Sequence, residues 1–175
     1  MVQQSTRDVI YLVFLIIHLP ATLLVDSQAL FFAHHISPPS LRVIFNFASK
    51  DDYLLQNATN PMFSWFQSFI ILEIIFQVPV FVLGIRGLLR KNTTAIHPLL
   101  AIYGASSSTT TWACLATVLN EPHLPTLNHR LTLFFTYLPF LLVPLAMTVD
   151  YTVRLTRVCR EVDRGAWAKQ ERKKE

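Results

Sequence analysis

Long apolar stretches alternate with shorter polar segments along the chain. Each stretch reaches the roughly 20 residues that an α-helix needs to cross about 30 Å of hydrocarbon. The third is more polar at its centre, where residues 106–111 all carry hydroxyl groups. The pattern predicts an all-α integral membrane protein built as a bundle of four transmembrane helices. The predicted spans are about 9–29, 65–89, 97–119 and 131–155.

Composition supports a membrane location and adds an expectation about helix shape. The chain is 52% hydrophobic and 15% charged, whereas soluble domains carry about 25% charged residues. Proline removes a backbone donor and clashes with the preceding turn, so it kinks a helix in which it lies. We therefore expect kinked helices, because five of the ten prolines fall in or next to the apolar stretches: Pro20, Pro79, Pro98, Pro139 and Pro144.

The distribution of Lys and Arg predicts the orientation. If both termini lie on one side, that side carries 12 of the 15 Lys and Arg residues, and positive charge accumulates on the cytoplasmic side. We expect one membrane domain over 1–155 and a basic cytoplasmic tail over 156–175. Residues 171–175 resemble a dilysine retrieval signal of the endoplasmic reticulum. They are equally consistent with a plain basic tail at a lipid surface.

The segment that joins the first two spans, residues 31–64, is not uniformly polar. Residues 41–47 place apolar side chains near helical spacing, and an apolar pair follows at Leu54 and Leu55. This pattern favours a short interfacial helix and a lid over the lumenal mouth of the bundle. The alternative is a loop that only contacts the lipid headgroups.

Glu73 interrupts an otherwise apolar span. A carboxylate at that depth costs about 2.5–3.5 kcal/mol on insertion scales. A chain that carries this cost is expected to provide a polar environment for the group. Glu73 therefore marks an internal polar site.

Polar groups of the four spans are predicted to lie at similar depth. Asp26 falls near the lumenal end of the first span, and Glu73 with Gln77 falls in the lumenal half of the second. The third and fourth spans contribute threonines around Thr110 and the aromatic pair Tyr137 and Phe140. These residues predict one cavity open toward the lumenal leaflet, suited to an apolar ligand with one polar or cationic point.

Each of these residues also has a structural explanation. Asp26 could lie in water at the interface, and Glu73 could serve only as a partner in helix–helix hydrogen bonding. The hydroxyl run at 106–111 could be a close-packing face, and His18 could be a satisfied histidine inside a helix. The histidines lack metal-ligand spacing with cysteines or carboxylates, so neither a metal nor another cofactor is predicted.

Several strings resemble the sigma-2 receptor and, more widely, the EXPERA family, which includes the emopamil-binding sterol isomerase. The resemblance covers nearly the whole chain, in order and with similar spacing. Its parts include PATLLVDSQA around Asp26, DYLLQ from Asp52, and EIIFQVP from Glu73, and the ordered set is more specific than any single motif. Other matching strings lie at 65–69, 102–103, 109–110, 129–133 and 137–144.

The resemblance implies roles for individual residues. Asp26 matches the carboxylate that pairs with the cationic amine of ligands, and Asp52 matches a loop aspartate that orients it. Phe140 stands where the receptor has a tyrosine, so one polar contact is lost. The remaining positions that the resemblance and the depth argument assign to the pocket are Glu73, Gln77, Tyr103, Thr110 and Tyr137.

The resemblance further implies a multi-pass protein of the endoplasmic reticulum, forming a homodimer. The leading hypothesis is a non-enzymatic binder of sterols or other lipids and of cationic amphiphilic amines that influences sterol homeostasis or lipid traffic. One alternative is a sterol double-bond isomerase that uses the intramembrane carboxylates. A second is a membrane-protein chaperone or import-assisting factor. A channel or transporter is disfavoured, because no polar column is predicted to cross both leaflets.

Overall fold

A computed structural model describes residues 6–32, 39–90, 94–122, 124 and 126–171. All the regular secondary structure in these ranges is helical. The predicted all-α class is thus confirmed for the described part of the chain. The end of the tail, with the retrieval-like residues 172–175, lies outside it.

The first long helix changes its winding halfway along. It begins as α1 (Thr6–Ala21), with Asp8 in the first turn, where a carboxylate complements the helix dipole. Two residues after Pro20, the α-helix passes into two π-helical segments, Thr22–Asp26 and Gln28–Phe32. π-helical turns in proteins are short and frequently coincide with functional sites.

The connector, residues 39–60, folds into two short helices. The first is α2 (Pro39–Ser49), which exposes Val43 and Phe47 and turns Phe45 toward the core. The second is α3 (Tyr53–Gln56), which begins at the N-cap Asp52. The helix expected around residues 41–47 is therefore present.

The second long helix repeats the change of winding seen in the first. A 3₁₀ turn, Pro61–Phe63, leads into α4 (Ser64–Leu72). A π-helical segment, Glu73–Gln77, then separates α4 from α5 (Val78–Leu89). The π-helical segments of the first and second long helices contact one another.

Two further helices form the most extensive helix pair of the fold. They are α6 (His97–Asn120) and α7 (Leu127–Glu171), and α7 continues without a break past residue 155. Gly104 of α6 permits their close approach, because a Cβ atom there would collide with the backbone carbonyl of Pro144 and with the side chain of Thr148. Pro139 and Pro144 lie inside α7.

Three described helical stretches are long and apolar enough to cross a membrane: Thr6–Leu30, Pro61–Leu89 and Leu127–Gly165. These findings agree with a membrane protein and with three of the four predicted spans. The fourth, α6, has 24 residues and would extend over about 36 Å. It is not among these three stretches, because its hydroxyl-rich centre lowers its mean hydropathy.

Two apolar clusters hold the described helices together. One, around Leu54, Phe66 and Val118, joins the connector to α4 and α6. The other, around Leu15, Phe81 and Met147, joins α1, α5 and α7. Each cluster contains side chains from several helices. Together they hold the π-helical regions of the first and second long helices, where Asp26 and Glu73 lie, next to one another.

Candidate functional site

A cavity of about 240 Å³ opens among the long helices and the connector. Most of its wall is apolar or aromatic, and three carboxylates from three different elements face it. Such a combination is typical of sites that bind a largely apolar ligand at one polar point. The residues that line it are His18, Ala21, Val25, Asp26, Ala48, Asp52, Leu55, Phe66, Phe69, Ile70, Glu73, Thr110, Thr111, Cys114, Thr136, Tyr137 and Phe140.

Asp52 joins the connector to α7. Its Oδ1 accepts hydrogen bonds from the backbone N–H groups of Leu54 (3.0 Å) and Leu55 (3.1 Å), which caps α3. Its Oδ2 accepts a hydrogen bond of 2.8 Å from the hydroxyl of Tyr137. Burial raises the pKa of the Asp52 carboxyl above its usual value, although these donors act in the opposite direction.

Glu73 belongs to a chain of polar contacts that crosses the bundle. Its Oε1 lies 3.3 Å from Nε2 of His18, and the hydroxyl of Thr22 donates to the same oxygen. On the opposite side of the ring, Nδ1 of His18 lies 3.1 Å from the hydroxyl oxygen of Tyr103. A neutral His18 with its proton on Nε2 would donate to Glu73 and accept from Tyr103. The carboxylate in this apolar span is therefore supplied with donors.

Asp26 differs from the other two carboxylates. It ends the first π-helical segment and is half-buried in the cavity wall. Within the part of the chain that the structure describes, Asp26 has no hydrogen bond to its side chain and no ion pair. Its carboxylate is instead repelled by the like charges of Glu73 and Asp52. The carboxylate of Asp26 therefore has the capacity to accept hydrogen bonds or to pair with a positive charge.

The structure brings together six of the eight residues that the sequence assigned to the pocket. Asp26, Asp52, Glu73, Thr110, Tyr137 and Phe140 all line the cavity. The other two, Gln77 and Tyr103, are buried but are not part of its wall. Tyr103 is connected to the cavity through His18, as described above.

His18 is the main lining residue that sequence reasoning did not assign to the site. Its ring is buried against the rings of Phe81 and Phe140, at centroid distances of 4.9 and 4.8 Å. A signal was available, because His18, Thr22 and Asp26 follow one another at intervals of four residues in an otherwise apolar stretch. Residues at this spacing share a helix face.

The hydroxyl run of α6 satisfies its polar groups mainly within its own helix. Thr110 donates to the carbonyl of Ser107, and Thr111 to the same carbonyl at 2.8 Å. Thr111 also lies 3.3 Å from the carbonyl oxygen of Phe140, so it bridges α6 and α7. This arrangement fits the packing explanation for the run and still leaves two threonines at the cavity wall.

A second polar cluster occupies the opposite end of the bundle, where the sequence predicted no polar site. Arg154 contacts Asp8 at 2.7 Å and Asp150 at 2.6 Å, and Arg7 contacts Asp150 at 2.8 Å. His97 lies over the ring of Tyr151, 5.2 Å away, and both its ring nitrogens are buried without a hydrogen-bond partner among the described residues. These charges join α1 to α7 outside the cavity.

The described residues contain no group of three or more His, Cys, Asp or Glu side chains placed to hold a metal ion.

Comparison with known proteins gives one consistent relationship. Residues 45–151 match the family model of EXPERA, the EXPanded EBP superfamily. The human protein named Sigma intracellular receptor 2 is 31% identical over 144 residues, which cover 75% of this chain and 79% of that protein. A Saccharomyces cerevisiae protein named Efficient mitochondria targeting-associated protein 19 is 27% identical over 152 residues, 78% of this chain and 92% of that protein. Its Schizosaccharomyces pombe namesake is 27% identical over 161 residues, 90% of this chain and 81% of that protein.

Proposed function

This chain belongs to the EXPERA superfamily, and we propose on that premise that it binds sterols or similar lipids, and cationic amphiphilic amines, in its carboxylate-lined cavity. The single observation that carries the proposal is the carboxylate of Asp26. It faces an apolar chamber, repelled by two other carboxylates and without a donor of its own among the described residues.

The wall of the cavity favours this ligand class over a small polar one. Phe66, Phe69, Ile70 and Phe140 provide surface for an apolar body. A cationic group placed beside Asp26 would offset the mutual repulsion of the carboxylates, because an opposite charge nearby stabilises an ionised group. A sterol hydroxyl would instead take the place of that cation as a hydrogen-bond donor.

Orientation and location are part of the same proposal. The excess of Lys and Arg on one side favours cytoplasmic termini, with α6 as a fourth span and the connector as a lid on the lumenal side. Endoplasmic-reticulum residence and a homodimeric state follow from the resemblance to the sigma-2 receptor. In this arrangement the ligand reaches the cavity from the lumenal leaflet and the protein influences sterol or lipid traffic by holding it.

The test compares two neutralised aspartates in purified full-length protein. Asp26→Asn is expected to weaken the binding of a radiolabelled hydrophobic amine at least tenfold, since a charge-assisted contact contributes about 1.5–3 kcal/mol. The control is Asp51→Asn, because Asp51 is exposed and does not line the cavity. Equal affinity of the Asp26→Asn protein and the wild type would exclude the proposed site.

A sterol double-bond isomerase is the alternative that one specific observation favours. The linked Tyr103, His18 and Glu73 provide proton donors and acceptors at the edge of an apolar cavity. In such a reaction an acid adds a proton to one alkene carbon, and a base removes another from the carbon next to the cation, so no net proton is consumed. Conversion of an unsaturated sterol to its isomer by purified protein, lost in Glu73→Gln, would establish this activity.

Assistance to protein targeting is the third candidate. It is favoured by the name of the two yeast relatives, whose lengths this chain covers by 92% and 81%. Replacing the gene of such a relative with the present coding sequence, in wild-type and Asp26→Asn form, would separate the roles. Rescue by both forms would indicate a function that does not need the cavity carboxylate.

A further inference from the structure

A shallow groove of about 330 Å³ lies on the outside of the bundle, between the first long helix and α5. Its floor and sides are apolar, formed by Leu19, Val82, Ile85 and Leu89, and Val82 and Leu89 are exposed by about half. The groove is separate from the carboxylate-lined cavity, since the two share no lining residue.

Two arginines close one end of this groove. Arg86 and Arg90 are four residues apart and therefore share a face of α5 at its C-terminus. Both side chains are exposed, and neither forms an ion pair within the part of the chain that the structure describes. The end of the groove is thus an uncompensated pair of positive charges beside an apolar channel.

The dimensions match one leaflet of a bilayer. Val82 and Arg90 are separated by eight residues, or about 12 Å along the helix. Half of the roughly 30 Å hydrocarbon core is about 15 Å. When the apolar end lies inside the membrane, both guanidinium groups therefore reach the headgroup level.

We propose that this groove is a binding site for an anionic glycerophospholipid. One acyl chain would lie along Val82, Ile85 and Leu89, and the phosphate would contact Arg86 and Arg90. Arginine recognises phosphate through its planar, forked donors, so two arginines can hold one headgroup from two directions.

A larger groove on the first long helix is a weaker candidate for an anionic lipid, because its positive charge is already paired. It measures about 690 Å³, lies between α1 and α7, and ends at Arg7. There the guanidinium is bound to Asp150 at 2.8 Å, so its charge is compensated within the protein. Only the groove beside α5, of these two, presents positive charge that an anionic lipid would neutralise.

The experiment measures lipid selectivity with the intact protein. Full-length protein is reconstituted in phosphatidylcholine bilayers that contain spin-labelled phosphatidylserine or spin-labelled phosphatidylcholine, and the protein-restricted fraction of each label is compared. Each arginine near an anionic surface corresponds to about a fivefold preference, so the wild type should favour phosphatidylserine by roughly fivefold to 25-fold.

Three variants separate the groove from general attraction to positive charge. Arg86→Gln/Arg90→Gln should bring the preference close to parity. Arg157→Gln/Arg160→Gln removes the same charge from exposed positions of α7 outside the groove and should leave the preference within about twofold. Val82→Trp retains both arginines but fills the apolar channel, and it should also reduce the preference.

The proposal is overturned if the wild type shows no preference for phosphatidylserine, or if Arg86→Gln/Arg90→Gln leaves that preference unchanged. Equal losses from the groove pair and the α7 pair would indicate diffuse electrostatic adsorption instead. Full preference in Val82→Trp would show that the headgroup alone is recognised and that no acyl chain occupies the channel. Circular dichroism of each variant checks that its helix content is retained.

Discussion

At the scale of single residues, three carboxylates of this protein lie in a largely apolar cavity, where a charge is costly. Asp26, Asp52 and Glu73 face one cavity, yet their surroundings differ. Asp52 accepts three hydrogen bonds, Glu73 is linked to His18 and Thr22, and Asp26 has no hydrogen-bond partner for its side chain among the described residues. A shared location with separate partners lets three carboxylates take different roles.

Asp52 provides a prediction about pH. Because its pKa is raised in the folded protein, the stability that it contributes is full below the unfolded pKa of about 3.9 and is lost as pH rises through the folded value. An asparagine at this position would keep the cap of α3 without the charge. Asp52→Asn should therefore match the wild type near pH 4 and be more stable than it at pH 8, by about 1.4 kcal/mol for each unit of raised pKa.

The measurement is a thermal melt in detergent between pH 4 and pH 8. Asp51→Asn is the matched control, since it removes a neighbouring charge that is exposed. If the wild type instead gained stability over Asp52→Asn between pH 4 and pH 8, the hydrogen bonds of Asp52 would outweigh the cost of burying its charge.

The sequence could reveal which residues are unusual but not which of them meet. Asp26 and Glu73 stand out as charges in apolar runs, and both line the cavity. The spacing of His18 to Thr22 and Asp26 indicated a shared helix face, but its two partners, Glu73 and Tyr103, lie 55 and 85 residues further along the chain and could not be predicted. A neutral histidine in an apolar helix is compatible with many environments.

At the level of helices, close packing of α6 against α7 depends on one residue without a side chain. Gly104→Ala would place a methyl group against the backbone of Pro144, which cannot rotate away. Overpacking of this kind costs about 1–3 kcal/mol. We expect a lower melting temperature for this variant in detergent.

Gly165→Ala is the matched control, since a Cβ atom there meets nothing within 4 Å. It lies in α7, the helix that packs against α6, and the substitution should stabilise the protein by about 0.5–1 kcal/mol, because alanine is the better helix former. If Gly104→Ala were as stable as Gly165→Ala, the two helices would not be in the close contact described.

The helices themselves were largely predictable, whereas their changes of winding were not. Apolar stretches of sufficient length located the long helices, and the spacing within residues 41–47 located α2. The π-helical segments at Thr22–Asp26 and Glu73–Gln77 leave no such mark. They depend on which backbone carbonyl each N–H finds, a choice that packing between separate helices decides.

For the molecule as a whole, the ion pairs at the end opposite the cavity fasten the first helix to the last. Asp8 and Arg154, 146 residues apart, are mostly buried, whereas the side chain of Arg7 is 70% exposed. Removing one partner of a fully buried pair costs about 3–5 kcal/mol, and exposed pairs contribute about 0–1 kcal/mol. Asp8→Ala should therefore destabilise the protein by about 2–3 kcal/mol, and Arg7→Ala by less than about 1 kcal/mol.

Denaturant or thermal unfolding of both variants checks this difference. The long separation along the chain explains why sequence reasoning missed the cluster, since Asp8 lies in the first turn of α1 and Arg154 at the end of the predicted fourth span, where charges are ordinary. Equal effects of the two substitutions would mean that Asp8 is less enclosed than described.

The two π-helical stretches make the chamber sensitive to chain length in a particular way. Each i→i+5 turn accommodates one residue more than regular α-winding requires. Deleting Leu24 would let this segment relax into α-winding, with everything beyond it kept at nearly the same angle around the axis. The same deletion in the regular turns of α1 would instead rotate everything beyond it by about 100°, and Asp26 would then face away from Glu73. The wall of the chamber should therefore tolerate the loss of one residue within its π-helical segment but not in the helix before it.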